Sequence, residues 1–360
     1  MIGPAIEAPG GMSAVVASYR QAGFFDRWHV RYIATYRHPD WPSKIWQLLV
    51  STSRFLSLLL RRRVALLHVH AASRGSFWRK CIFMALARLG RVPVILHIHS
   101  GEFGDFYQQE CGPARQALVR WAMRGSAKVV CLTKQWQLRL GAIEPRAHFI
   151  HLPNPVDIQV DVPSSGVGRD ARQRTVLFLG RLRERKGVFD LVKAWPAVRS
   201  ACPGARLVLA GDGDQTPVKA LAVQLGVADS IEFPGWVMGE AKARHLAGSS
   251  VFVLPSYAEG LPVCILEAMA HGLVIVTTDV GGIPEVVRDG CEAILIRPGD
   301  VDGLARALVT ALCDEGLAQR LGDAARKRVV GTYSMSLVLG RLDDLYREQL
   351  DGSAAHETVS

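Results

Sequence analysis

Glu259-Gly260-Leu261-Pro262-Val263-Cys264-Ile265-Leu266-Glu267 joins two patterns of different period. Before it, Val251-Phe252-Val253-Leu254 is an unbroken apolar run, which fits a buried strand. After it, Leu266-Glu267-Ala268-Met269-Ala270 reads as helix. Strand, loop and helix start therefore follow in order. Pro262 suits the first helical turn, where its missing N–H costs nothing. Gly260 allows close backbone approach. The amides of Gly260, Leu261 and Val263 are expected at the helix N-terminus, a good place for an anion. Glu267 lies about one and a half turns further in, at roughly 3.6 residues per turn. One carboxylate in the loop and one on the helix would flank a nest of phosphate size. The plainer alternative has Glu259 as a helix cap and Glu267 as a solvated surface residue.

A second glycine turn follows at Gly281-Gly282-Ile283-Pro284-Glu285. Upstream, Thr175 to Leu179 reads as a strand entering Gly180-Arg181-Leu182-Arg183-Glu184-Arg185-Lys186-Gly187. Arg181 offers a planar fork of donors and Lys186 a compact charge, a pairing suited to a diphosphate. Arg183 and Arg185 read as surface residues. A further strand, Arg206 to Ala210, ends in Gly211-Asp212-Gly213. The G-x-G-x-x-G dinucleotide fingerprint is absent, which argues against a nicotinamide enzyme.

The first half repeats the alternation of strand and helix. A glycine turn, Pro9-Gly10-Gly11-Met12-Ser13, opens a helix, with only Met1-Ile2-Gly3-Pro4 ahead of it. That first strand is shorter than a doubly wound domain needs, so an upstream start is expected. Trp28 to Thr35 alternates as a strand, and residues 45–60 form an apolar helix with Ser43 as its cap. The helix carries Trp46 and Phe55 and ends in Arg61-Arg62-Arg63. It reads either as a helix covering the sheet or as one lying on a membrane surface. Strands ending at His68-Val69-His70 and His97-Ile98-His99 follow. Each His-x-His could chelate from one strand face, but no further ligand cluster stands at a suitable spacing, so no metal site is expected. His99 precedes a glycine loop at a strand C-terminal end, where open α/β sheets build sites.

Glu-x7-Glu, Gly-Arg-Leu-x-x-x-Lys-Gly, Asn154-Pro155-Val156-Asp157 and Gly-Gly-x-x-Glu occur in the order that resembles the family 4 glycosyltransferases. The resemblance covers about residues 1 to 350. It implies the α/β GT-B fold: two Rossmann-like doubly wound domains facing a cleft, with a C-terminal helix crossing back to the first. The implied divisions are an acceptor domain at 1–160, a linker at 161–174, a donor domain at 175–334, the crossover helix at 335–350 and a disordered tail at 351–360. It also implies a retaining, metal-independent hexosyltransferase using a UDP- or GDP-sugar and no other cofactor. In that family Arg181 and Lys186 would hold the diphosphate, aided by Gly10, Gly11, Gly260, Leu261 and Val263. Glu267 would hold the ribose, and Glu259 and His99 the sugar. A nucleotide-sugar 2-epimerase and a non-catalytic scaffold on the same architecture remain as alternatives.

The bulk numbers narrow the partners. The 360 residues are 49% hydrophobic and 21% charged, as in globular proteins with full cores. Seven scattered cysteines without C-x-x-C fit a reducing cytosol. Neither a signal peptide nor a membrane-spanning helix is expected. The net charge of +10 is uneven. Residues 1–170 hold 22 Lys/Arg against 10 Asp/Glu, whereas residues 171–360 hold 21 against 23. No nucleic-acid motif accompanies the basic half. A polyprenyl-diphosphate-linked glycan at the inner membrane face, in surface or exopolysaccharide assembly, is the expected acceptor.

Overall fold

The computed structural model describes residues 1–36, 41–158 and 174–357. The expected linker at 161–174 falls almost wholly outside them. The chain divides into two compact units, one of Met1–Pro155 with Met335 onward, the other Val156–Ser334.

The first unit holds β1 (Ile2–Gly3), β2 (Ile33–Ala34), β3 (Leu67–Ala71), β4 (Val94–Ile98), β5 (Lys128–Cys131) and β6 (Phe149–His151). All are parallel, in the order β2-β1-β3-β4-β5-β6. β3 and β4 are buried along their whole length, which is why they read as unbroken apolar runs punctuated only by histidine. Phe77, Phe103 and Phe106 pack edge to face against one another beside this sheet. The second unit holds β7 (Thr175–Leu179), β8 (Arg206–Ala210), β9 (Ile231–Gly235), β10 (Val251–Leu254), β11 (Val274–Thr278) and β12 (Ala293–Ile296). Its parallel order is β12-β11-β10-β7-β8-β9, so the chain reverses direction across the sheet between β7 and β10. Crevices at such switch points, outside the strand C-termini, are where open α/β sheets bind ligands.

Several local expectations shift. Trp28 to Thr35 is not one strand: Trp28 caps a short helix and donates its indole N–H to Asp343 at 2.6 Å, and β2 is only Ile33–Ala34. A contact 315 residues away overrides the local alternation. The helix Trp41–Leu60 starts before Ser43, because Pro42 already suits its first turn, so Ser43 is not the cap. Beyond the glycine loop after His99, Phe103–Gln109 forms a helix. The C-terminal helix runs Met335–Glu357 rather than ending at 350, so the expected tail is helical over residues 351–357, where Ala354 and Ala355 favour continuation. Thr133 does cap its helix, accepting from the Trp136 amide at 3.1 Å.

Helix Trp41–Leu60 is apolar on two sides. Phe55 points inward and packs at a tilt against Phe83, with centroids 5.6 Å apart. Ile45, Trp46, Leu49, Val50, Leu56 and Leu60 face solvent, Trp46 at 69% and Leu60 at 77% exposure. Among the described residues no helix is long and apolar enough to cross a membrane.

Candidate active site

In the second unit, the loops leaving β7 and β10 bring the expected residues together. Arg181 follows β7 and sits 3.5 Å from the Asp212 carboxylate beyond β8. Lys186 places its ammonium 2.5 Å from Glu259 Oε1, and Ser256 donates to the same oxygen at 2.7 Å. Glu259 is buried, so this ammonium and hydroxyl are what compensate its charge. The plainer reading of Glu259 as a helix cap fails: Pro262 occupies the cap of helix Val263–Ala270 without a side-chain cap bond.

Glycine is required at two positions here. Gly187 has φ +70°, and a Cβ on it would lie 2.0 Å from the Pro255 carbonyl oxygen. Gly281 has φ +58°, and a Cβ there would lie 1.9 Å from the Glu259 carbonyl oxygen. The two glycine turns thus let the β7 and β11 loops press against the β10 loop that carries Glu259. The Gly282 amide donates to the Gly260 carbonyl at 2.9 Å, fastening the same loops.

Glu267 is not a freely solvated residue. Its carboxylate meets the Lys242 ammonium at 2.5 Å, from helix Gly239–Ala247. Lys242 is a neighbour of this candidate site that sequence reasoning missed. Gly260, Leu261 and Val263 lie between the two carboxylates, with the Leu261 side chain buried and Val263 opening the helix. Three cations, each meeting one of the carboxylates of Asp212, Glu259 and Glu267, therefore gather at the switch point, a set able to hold a diphosphate while accepting hydroxyl hydrogen bonds.

In the first unit, Gly10 (φ 145°) and Gly11 begin helix Gly11–Gln21 after β1, with no atom within 4 Å of a Cβ built on either. His99 ends β4 half-buried, and its Nε2 meets His70 Nδ1 at 2.8 Å. Adjacent β3 and β4 pair His70 with His97. His68, His70 and His97 consequently bring ring nitrogens within 4.8 Å of one another. That third ligand was invisible from either His-x-His alone. The rings nevertheless lie stacked, His68 on His70 at 4.4 Å and His97 on His99 at 4.2 Å, rather than converging edge-on. His68 also bonds Tyr346 at 2.8 Å and His97 at 3.3 Å. Burial holds His68, His70 and His97 well below the usual imidazole range. Burial and then the nearby Lys80 push His99 down to about 3, so it serves as a neutral imidazole.

Lys80, also missed, lies fully buried in helix Gly75–Leu89 and donates to Ser76 Oγ at 3.1 Å. Burial, followed by Arg79, pushes its ammonium down to about 7. The folded value is below the unfolded one of about 10.4, so the unfolded chain binds more protons between the two. Stability contributed by this group therefore rises with pH across that window, and its cost is full below pH of about 7. Lys80→Met is expected to stabilise the protein at pH 7 by on the order of 1–4 kcal/mol and to flatten the rise in Tm above neutrality. Melting curves from pH 7 to 9 check this; a lower Tm with an unchanged slope would mean the ammonium contributes a needed bond.

Two family models match the chain. "Glycosyltransferase Family 4" matches residues 10–160, and "Glycosyl transferases group 1" matches residues 173–314. The chain is 28% identical over 305 residues to the GDP-mannose-dependent alpha-(1-6)-phosphatidylinositol monomannoside mannosyltransferase of Mycobacterium tuberculosis, covering 80% of this chain and 78% of the relative. In fold it is similar to sucrose-phosphate synthase from Thermosynechococcus elongatus (TM-score 0.81, 19% identity, 98% of both chains). It is likewise similar to Anabaena HepE solved with UDP-glucose (TM-score 0.74, 18% identity, 96% of this chain and 98% of that one).

Proposed function

The chain belongs to the family 4 glycosyltransferases, and from that premise we propose a retaining hexosyltransferase that draws on a uridine or guanosine diphosphate sugar without a metal ion or other cofactor. The observation that carries this reading is the pairing of Lys186 with Glu259 and of Lys242 with Glu267 beside Arg181 at the switch point. Departure of a nucleoside diphosphate develops charge on phosphate oxygens. Preorganised cations in a partly dry site stabilise that charge without reorganising. Arg181 and Lys186 serve the diphosphate, Glu267 the ribose hydroxyls, and Glu259 the sugar. Retention follows from the family resemblance, with the diphosphate oxygen assisting the incoming hydroxyl.

Calorimetry with UDP and with GDP, first without and then with magnesium, tests the reading. Metal-free binding of one nucleotide supports the clamp; binding of neither overturns it. Glu267→Ala is expected to weaken that binding by about 1–3 kcal/mol, roughly 5–150-fold. Unchanged affinity would remove Glu267 from the ribose.

For the acceptor we propose a glycan carried on a polyprenyl diphosphate, reached from the membrane surface, in surface or exopolysaccharide assembly. The support is helix Trp41–Leu60, whose outward stripe is apolar and whose end meets Arg61, Arg62 and Arg63. Leu59 lies 3.3 Å from the Cβ position of Gly90, which brings Arg88, exposed Leu89 and Arg91 alongside. Apolar side chains beside cations suit an anionic bilayer surface. Trp46→Ser combined with Leu60→Ser is expected to lower binding to phosphatidylglycerol-containing vesicles by about tenfold or more. Equal flotation of variant and parent would place the contact elsewhere.

A further inference from the structure

Two helices of the second unit end on cysteines. Helix Val188–Ala201 is closed by Cys202, and helix Val301–Cys313 ends on Cys313. Their Sγ atoms stand 2.6 Å apart although 111 residues separate them in sequence. A disulfide needs about 2.05 Å between sulfurs, so a small side-chain adjustment closes the gap. Both backbones are held for it. The Cys202 amide donates to Val198 at 2.8 Å, and its carbonyl accepts from Ala205 at 3.0 Å. After Cys313, the Asp314 amide donates to Thr310 at 3.0 Å, and its carboxylate accepts from Leu317 at 2.9 Å. Cys202 is buried and Cys313 exposed, so one sulfur meets solutes while the other waits behind it.

We propose that Cys202 and Cys313 form a reversible disulfide, a modification site closed by exchange with a low-molecular-weight disulfide. Cys313, as thiolate, attacks one sulfur of the small disulfide and expels a small thiolate. A mixed disulfide on Cys313 results. The Cys202 thiol then gives up its proton to the expelled thiolate and attacks the Cys313 sulfur, releasing the second small thiolate, which is protonated from water. The protein loses two electrons and two protons, and the small disulfide becomes two thiols. Cys202 takes the second step by position, its sulfur standing directly behind that of Cys313. A solvent-facing sulfur with a resolving partner in contact distinguishes this pair from Cys81, Cys111 and Cys131, which are buried, and from the exposed Cys291. A reducing compartment keeps such a pair open, and oxidation locks the donor-side unit across a long loop.

The test equilibrates the full chain with oxidised or reduced glutathione, blocks remaining thiols with iodoacetamide and maps peptides without reduction. The expected result is a cross-linked Cys202–Cys313 peptide two hydrogens lighter than its parts. The oxidised protein should also melt roughly 5–15 °C higher, reversibly with dithiothreitol. Cys313→Ser should abolish the cross-link and the rise while leaving the reduced protein's Tm nearly unchanged. Cys202→Ser should stop the reaction at a glutathione adduct on Cys313. Alkylation of both cysteines after oxidation, or an adduct on Cys313 persisting in the parent protein, would overturn the proposal.

Discussion

Lys186→Ala is expected to lower kcat by roughly 10²–10³-fold, the loss typical when one preorganised charge-stabilising donor is removed. The ammonium has two tasks. It offsets the buried Glu259 carboxylate at 2.5 Å, and in the proposed reaction it faces the departing diphosphate. Its removal leaves Ser256 as the remaining donor shown on that oxygen. A buried carboxylate stripped of its ion partner costs about 3–5 kcal/mol. Lys186 is itself 24% exposed, so water entering the gap keeps the stability loss toward the lower end. Glu259→Gln separates the tasks: it abolishes the buried charge yet retains an oxygen for Ser256. If Lys186 acts on the diphosphate, Lys186→Ala combined with Glu259→Gln regains melting temperature but turns over more slowly than Glu259→Gln alone, which carries the loss due to Glu259 itself. A double variant with the kcat of Glu259→Gln alone would reduce Lys186 to a counterion for Glu259. Both numbers come from one donor-turnover assay and one melting curve.

Gly187→Ala is expected to cost about 3 kcal/mol or more and to lower Tm by roughly 6–12 °C. The backbone there has φ +70°, and the new methyl would meet the Pro255 carbonyl oxygen at 2.0 Å. That oxygen is main chain, so relief requires the β10 loop to move away from Lys186. Nucleotide affinity should fall with stability. Ala substitution at Gly204, which also has positive φ (+88°) but open space around its Cβ position, supplies the comparison for strain without collision. Equal Tm losses at the two positions would mean that the close approach of the two loops contributes nothing.

What was legible in the sequence follows a physical rule. Arg181, Lys186 and Glu259 stand next to glycine turns at strand ends, where backbone chemistry announces a candidate site, and Glu267 lies on the helix that follows Gly260. Lys242 sits in Gly239-Glu240-Ala241-Lys242, an ordinary helical run, and acquires its partner Glu267 only through packing. Lys80 was hidden the same way: its helix reads alike whether the lysine faces water or the sheet. The His-x-His pairs were visible separately, but strand adjacency, which the chain order does not state, brings His70 beside His97. Strand positions rich in apolar residues were read well, as at Arg206–Ala210, while Trp28 answered to Asp343 instead of to its neighbours.

The division of the chain into a continuous unit and an interrupted one has a consequence during synthesis. Val156–Ser334 can complete its fold once its last residue has left the ribosome, but the other unit lacks Met335 onward until those residues have emerged as well. At about 5–20 residues per second, the N-terminal sheet waits roughly 10–35 s for that helix. Until then Asp343 cannot engage Arg27 and Trp28, nor can Tyr346 cover His68. The nascent chain therefore carries an open aromatic and histidine surface, the natural handle for a chaperone, and a ribosome stalled just short of Met335 would release a well-formed half attached to an unfinished one.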